Sequence, residues 1–196
     1  MFLHNNRAHT HSGHRFRVGF VARLAPEKSP GLFLKAARQI VARMSAGTLQ
    51  VSLSPPISIE FLVVGDGPLR SYLEMDTLAG APGVNVSLRF LGWLSREELA
   101  SSFLPSLDVL INPSLRLSET FCIGNIESMA VGTPVVSLGV GGIGAYLNRE
   151  TNRTAGLLVG TNLGEDSDRD GMLWPSHLAN LAVSVLIATR EERSSL

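Results

Sequence analysis

Two groups of residues in this chain have the types and spacing that binding a diphosphate and a polyol would require. The first is the loop "RLAPEKSPG", which carries Arg23 and Lys28 five positions apart between a short β-rich run and a helical pattern. A guanidinium, an ammonium and the free N–H groups of a helix amino end together supply charge and directed donors, which suits a diphosphate. The second is "SETFCIGNIESMAVGTPVV", in which Glu119 and Glu127 stand eight positions apart with Gly124 and Asn125 between them. Two carboxylates that each accept a pair of hydroxyl hydrogens suit the vicinal diols of a ribose or a hexose, and small residues between them let backbone N–H groups approach a ligand. Each group also has a plainer reading: Arg23 and Lys28 as solvated loop charges, Glu119 as a loop residue in water, and Glu127 as an acid complementing a helix amino end.

The surrounding pattern says where these groups must sit. Residues 15–24 read as a strand, and 29–44 as a helix with apolar Leu32, Leu34, Ala36, Ala37, Ile40, Val41 and Met44 on one face. Residues 45–58, rich in Ser, Pro and Gly, read as a surface connection before a buried-type strand at 59–65. A Gly-Asp-Gly-Pro turn and helix, a strand at 84–92, and a helix opened by Ser95 with Glu98 three positions on continue the alternation. Strands at 108–114, over "TPVVSLGV" and at 155–160 follow, with a helix from about Gly124 or Asn125 and a closing helix over "SHLANLAVSVLIATREER". Alternation of this kind predicts an α/β architecture, a Rossmann-like, mostly parallel sheet with helices on both faces. In such sheets ligands sit beyond the carboxyl ends of the strands, where both groups fall.

Composition narrows the classes. The chain has 196 residues, 44% of them hydrophobic, enough for one domain with a core of its own. Basic and acidic residues number 17 each, so no net field draws in nucleic acid or an anionic membrane, and phosphate recognition must be local. The single cysteine, Cys122, excludes an internal disulfide and suits a reducing compartment, so a cytoplasmic location is expected. No run approaches the eighteen apolar residues of a membrane span.

Four segments in order, "VGFVARLAPEKSPGLFLKAA", "FLVVGDGPLRSYLE", "RFLGWLSREELASSF" and "SETFCIGNIESMAVGTPVVSLGVGGIGAYL", resemble the donor-binding half of GT-B glycosyltransferases, closest to the GT4-type retaining family (glycosyl transferases group 1). The resemblance covers most of residues 15–160. It implies a nucleotide-diphosphate sugar as donor substrate, no cofactor and no metal, and transfer to a hydroxyl acceptor with retention. Arg23 and Lys28 would grip the pyrophosphate and stabilise charge growing on the leaving group. Glu127 would hold ribose hydroxyls, and Glu119 those of the transferred sugar. The backbone of Phe121, Cys122 and Ile123 would donate to sugar or phosphate oxygens, and the base would rest near Leu91, Gly92 and Trp93. Residues 1–14 would be a flexible leader and 15–196 the nucleotide-sugar domain, with the N-terminal acceptor half absent from the chain or supplied by a partner. A non-catalytic nucleotide-sugar-binding module is the alternative. Epimerases and phosphorylases share the half-fold, but no lysine here has a convincing pyridoxal context.

The chain departs from the family pattern at two places. After "GGI" it has Gly144 and Ala145 where Pro-Glu is usual, and it has Cys122 where glycine commonly lets a backbone meet the sugar. The latter predicts a side chain intruding on the donor. Other signals carry less. "GVGGIG" fits a dinucleotide fingerprint through Gly139, Gly141 and Gly144 but comes late in the chain. "DSDRDG" at 166–171 would place His177, not a glutamate, at the twelfth position of a calcium loop. The histidines at 4, 9, 11 and 14 lack an acidic partner, and the sequons at Asn85 and Asn152 need a secretory route. Residues 161–175 read as poorly ordered.

Overall fold

The structure is a computed structural model, and it describes residues 15–50, 56–115, 122–139, 142–143, 157–159 and 174–194, without the side chains of 47–50, 157–159 and 188–194. Six strands form one sheet: β1 (Arg15–Val21), β2 (Ile57–Val64), β3 (Val84–Gly92), β4 (Val109–Asn112), β5 (Val135–Leu138) and β6 (Leu157–Val159). Their spatial order is β3-β2-β1-β4-β5-β6 and every pairing is parallel. The chain therefore builds outward from β1 in one direction, then returns to build from β4 in the other. Helices α1 (Pro30–Gln50), α2 (Arg70–Glu74), α3 (Arg96–Glu98), α4 (Ile123–Ala130) and α5 (Trp174–Ser194) connect or cover the strands. A π-helical turn over Leu99–Phe103 and a 3-10 turn over Leu104–Ser106 extend α3.

Alternation along the strands divides the sheet into two unlike faces. One carries Phe16, Val18 and Phe20 of β1, Ile59, Phe61 and Val63 of β2, and Val86, Leu88 and Phe90 of β3, all packed in one cluster with α1 and α5. Phe33 of α1 ties the layers together, its ring 5.4 Å from that of Phe20 and edge-on to Phe61 at 6.2 Å. Helix α1 sends Phe33, Leu34, Ala36, Ala37, Ile40, Val41 and Met44 inward, the spacing of one helical face. Helix α5 lies beside it, where Arg43 Nε donates to Asn180 Oδ1 at 2.6 Å.

The other face is apolar only toward the carboxyl ends of the strands, where Leu62, Val64, Leu110 and Val135 meet Phe103, Leu104 and Leu107. Toward the amino ends, the register aligns Arg15 with Ser58 and Asn85, and Arg17 with Glu60 and Ser87. Glu60, 5% exposed, accepts from Arg15 at 3.0 Å, Arg17 Nε at 2.9 Å and Arg89 at 3.2 Å. Burial pushes the Glu60 carboxyl up, but hydrogen bonds from Arg89 and Arg15 and the charge of Arg17 outweigh it and hold it below the usual glutamate value. A cleft of ≈ 270 Å³ lies here, lined by Arg15, Glu60, Asn85 and Ser87 among others. Helices pack on both faces of the sheet, α1 and α5 on one and the turns after α3 on the other. At this corner, among the described residues, polar side chains and ion pairs take the place of a helix.

Several boundaries differ from those the sequence predicts. Helix α1 runs on to Gln50 through the stretch read as a surface connection from 45. Buried Ser45 turns its hydroxyl to Pro82 O at 2.8 Å, and Gly47 weakens but does not break a helix. After the Gly-Asp-Gly-Pro turn only Arg70–Glu74 is helical, and Pro68 falls in the turn itself. Trp174 and Pro175, placed by the sequence reading in a poorly ordered stretch, are buried in the first turn of α5. The Ser95 helix start is as expected: Ser95 Oγ accepts from Glu98 N at 3.2 Å and the Glu98 carboxylate accepts from Ser95 N at 2.7 Å. Among the described residues, no helix is long and apolar enough to cross a membrane.

Candidate functional site

The loop carrying Arg23 is held by its backbone. Ala22 N donates to Val64 O at 3.2 Å, Leu24 N to Asp66 O at 2.9 Å, and Leu69 N to Leu24 O at 2.9 Å. Residues on both sides of Arg23 are therefore fixed to the turn after β2, while the Arg23 side chain is exposed. This close approach is what the glycines of Gly-Asp-Gly-Pro allow. Gly65 has φ +128°, and a Cβ there would stand 1.9 Å from Ala22 O. Gly65 N in turn donates to Gly92 O at 2.7 Å, which joins the end of β3. Asp66 braces the turn by accepting from Gly67 N at 2.7 Å and from Arg70 at 3.0 Å, and these bonds hold its carboxyl below the usual aspartate value.

Beyond Arg23 the chain makes a 3-10 turn over Pro26–Lys28 and passes through Ser29 in the left-handed region, φ 50°, before α1 begins at Pro30. Half-buried Lys28 sits at this junction. The end of β4 is tied to the same turn, because Ser114 Oγ donates to Glu27 O at 3.3 Å. The amino end of α4 closes on β1 as well: a Cβ on Gly124 would lie 3.9 Å from Val21 O. The ends of β1 and β4 and the start of α4 are thus brought to one rim.

Below this rim lies a buried polar chain. Asn112, the last residue of β4, donates from Nδ2 to Cys122 Sγ at 2.9 Å and to Asn125 Oδ1 at 2.9 Å. Its Oδ1 accepts from Ser114 N at 3.2 Å. Asn125, fully buried, extends from Nδ2 toward Ser137 Oγ of β5 at 3.5 Å. Cys122 Sγ is therefore directed to the end of β4, not outward. At the position where the sequence predicts a side chain intruding on the donor, a buried amide offers the sulfur a partner, and the side chain turns to it.

Glu127 is the fifth residue of α4, past its first turn, so complementing the helix amino end is not its role. Its carboxylate, 30% exposed, lies 3.7 Å from Arg96 Nε at the start of α3, whose own side chain is 79% exposed. This contact links α4 to the end of β3, where Leu91 is half-buried, Gly92 is buried with φ +75°, and Trp93 is 75% exposed. Ile123, at the first position of α4, is half exposed. Of the residues singled out in the sequence, the structure gathers the segments of Arg23, Lys28, Leu91, Trp93, Cys122, Ile123 and Glu127 at the carboxyl ends of β1, β3 and β4. Glu119 and Phe121 lie outside the described residues, as do the leader at 1–14, the loop at 166–171 and half of "GVGGIG".

Sequence reasoning missed Asn112, Asn125, Ser114 and Arg96. An asparagine ending an otherwise apolar strand and another inside an apolar helix are the signals that mark the first two, since buried amides need partners. Arg96 carries no local signal at all. Among the described residues, no cluster of His, Cys, Asp or Glu is placed to hold a metal ion.

Residues 15–168 match the family of glycosyl transferases group 1, and the chain belongs to that family. It is 36% identical over 154 residues to a D-inositol 3-phosphate glycosyltransferase of Rhodococcus erythropolis, a match covering 76% of this chain and 31% of that protein. With a 2-deoxystreptamine glucosyltransferase of Streptomyces kanamyceticus it shares 35% over 127 residues, covering 64% of this chain and 28% of that one. Among solved structures, Anabaena HepE in complex with UDP and glucose superposes with a TM-score of 0.53 at 19% identity, covering 93% of this chain and 49% of that chain. WaaG, a glycosyltransferase involved in lipopolysaccharide biosynthesis, gives 0.53 at 14%, covering 91% and 46%. The fold is the Rossmann-like half of a GT-B glycosyltransferase. The chain spans about a third of the length of the curated relatives it matches.

Proposed function

We propose that this chain is the donor-binding part of a retaining glycosyltransferase, which transfers a sugar from a nucleotide-diphosphate donor to a hydroxyl. The observation that carries the reading is the convergence of the Arg23–Lys28 loop, the end of β4 and the amino end of α4, held together by Ser114–Glu27 and by the approach of Gly124 to Val21. Cationic side chains at the end of one strand and a helix amino end at another suit a diphosphate. The rim beyond β3, with exposed Trp93 beside Leu91, suits a flat base. Glu127 accepts ribose hydroxyls in this reading, exchanging the exposed Arg96 for a ligand. Glu119 carries the sugar hydroxyls in this reading, with the backbone of Phe121, Cys122 and Ile123 as donors. Arg23 and Lys28 stabilise the leaving diphosphate, so the reaction calls on no metal or cofactor. The complex of HepE with UDP and glucose supports the class of ligand.

The chain's share of its relatives' length supports a second statement: transfer needs an acceptor half beyond these residues, joined in the same polypeptide or brought by a partner. Alone, the chain binds the donor without turning it over to an acceptor. A thermal-shift titration with UDP, GDP and ADP tests the donor reading. One of them should raise the melting temperature, with about 2.7 kcal/mol of added stability at a hundredfold excess over Kd. Arg23→Ala, Lys28→Ala and Glu127→Ala should each remove most of that gain. A flat response of the wild-type chain to all three nucleotides would refute the reading.

A further inference from the structure

We infer that Asn112 is a positioning residue for the donor site. Resting on the reading above, this assigns the placement of α4 to one buried amide. Asn112 is at the last position of β4, 8% exposed, and its single side chain joins its own strand end to the start of α4 through three partners. Nδ2 reaches Cys122 at the residue preceding α4 and Asn125 in its first turn, and Oδ1 takes the amide hydrogen of Ser114 on the loop that is itself bonded to Glu27. The chain of bonds thus runs from the Lys28 turn through the end of β4 into the first turn of α4, and on through Asn125 toward Ser137 of β5.

The geometry fixes more than a generic packing contact would. An apolar contact tolerates sliding, whereas a pair of side-chain amides between a strand end and a helix turn admits one register. Glu127 follows Asn125 by two positions on the same short helix, and Cys122 precedes that helix directly. Rotation or translation of α4 therefore moves Glu127, the N–H groups at the helix start and the Cys122 sulfur together. With the amide pair intact the sulfur is directed toward β4 and the helix start is free of side chain at Cys122. Without it the sulfur loses the partner that keeps it away from the donor.

The test uses the full chain and the nucleotide diphosphate that gives the wild type its largest thermal shift, with affinity measured by calorimetry. Asn112→Leu keeps the branched shape, with bulkier ends, and removes the amide; Asn112→Ser is a milder variant that stays polar but cannot span both partners. Each should weaken nucleotide affinity about tenfold or more while the ligand-free chain still melts cooperatively. Combined with Glu127→Gln, either change should cost clearly less than the product of the two single losses, because Asn112 acts in part through Glu127. Alkylation of Cys122 by iodoacetamide should also accelerate in the folded Asn112 variants, a signature that a general loss of affinity does not produce. Affinity within twofold of wild type in folded Asn112→Ser, or full multiplicativity with Glu127→Gln, would overturn the inference while leaving the donor site standing. A wild-type chain that binds no nucleotide would instead overturn the donor reading and this inference with it.

Discussion

Replacing Gly65 with alanine is the sharpest way to ask whether the turn after β2 governs the Arg23 loop. A Cβ at this position would stand 1.9 Å from Ala22 O and 2.9 Å from Ala22 C, both backbone atoms without a rotamer to yield. A carbon and a carbonyl oxygen settle at about 3.3 Å or more, so the Arg23 loop must recede by roughly 1.4 Å. The residue also has φ +128°, a conformation that costs a side chain on the order of 1–2 kcal/mol. With about 1–2 kcal/mol for the forced displacement, the expected destabilisation is about 2–4 kcal/mol. For a domain of this size that is a fall in melting temperature of roughly 5–15 °C. The same displacement moves Arg23, and misplacement of about 1 Å in a binding element costs up to about a hundredfold in function, so nucleotide affinity should fall at least about tenfold. Gly31→Ala is the matched control. Gly31 is in the first turn of α1 with nothing within 4 Å of its Cβ, so the same added methyl should be neutral or stabilise by up to about 1 kcal/mol. Paired chemical denaturation and calorimetry on the two variants give the answer. If Gly65→Ala matched Gly31→Ala in both stability and nucleotide affinity, the close approach of the turn to Ala22 would not be what holds the loop.

Three further outcomes follow from the structure. Glu60 has a lowered pKa in the folded chain, so its contribution is present above the ordinary value of 4.5 and is lost as pH falls through the lower folded value; Glu60→Gln should remove that part of the acid sensitivity in urea melts between pH 7 and pH 3. Gly19→Ala should destabilise by about 1–3 kcal/mol, because its Cβ would meet Leu107 Cδ1 at 2.3 Å under the 3-10 turn, and thermal denaturation should show the loss without an effect on nucleotide affinity beyond it. Arg96→Ala should change stability by less than about 1 kcal/mol, since Arg96 is exposed and the contact is long, while nucleotide affinity holds or rises because Glu127 is released; a large loss of affinity would mean that Arg96 itself faces the ligand.

The alternating strands and helices, the apolar face of α1 and the Ser95 capping box were all legible in the residues, because each depends on neighbours within a few positions. The limit of that reading shows at Ser45. Nothing local distinguishes a serine that ends a helix from one whose hydroxyl finds the carbonyl of Pro82, 37 positions away. The ion pairs at Arg15, Arg17 and Glu60 were not legible for a related reason. Period-two alternation of charged residues marks an uncovered face, but which neighbours complete the ion pairs depends on the register of β1, β2 and β3.

By itself the sequence determined the elements, the two rim segments with their cations and acids, and the class of fold they imply. Which strand ends adjoin was decided only in three dimensions, by an order that sets β1 between β2 and β4 although β3 separates them along the chain. That adjacency brings Ser114 to Glu27 and Gly124 to Val21, and the packing of α4 on the ends of β4 and β5 turns Cys122 inward to Asn112. Local preference is written in periodicity, whereas a side chain's partner is whatever polar group the assembled sheet leaves within reach, and a buried amide takes that partner because burial without one costs more.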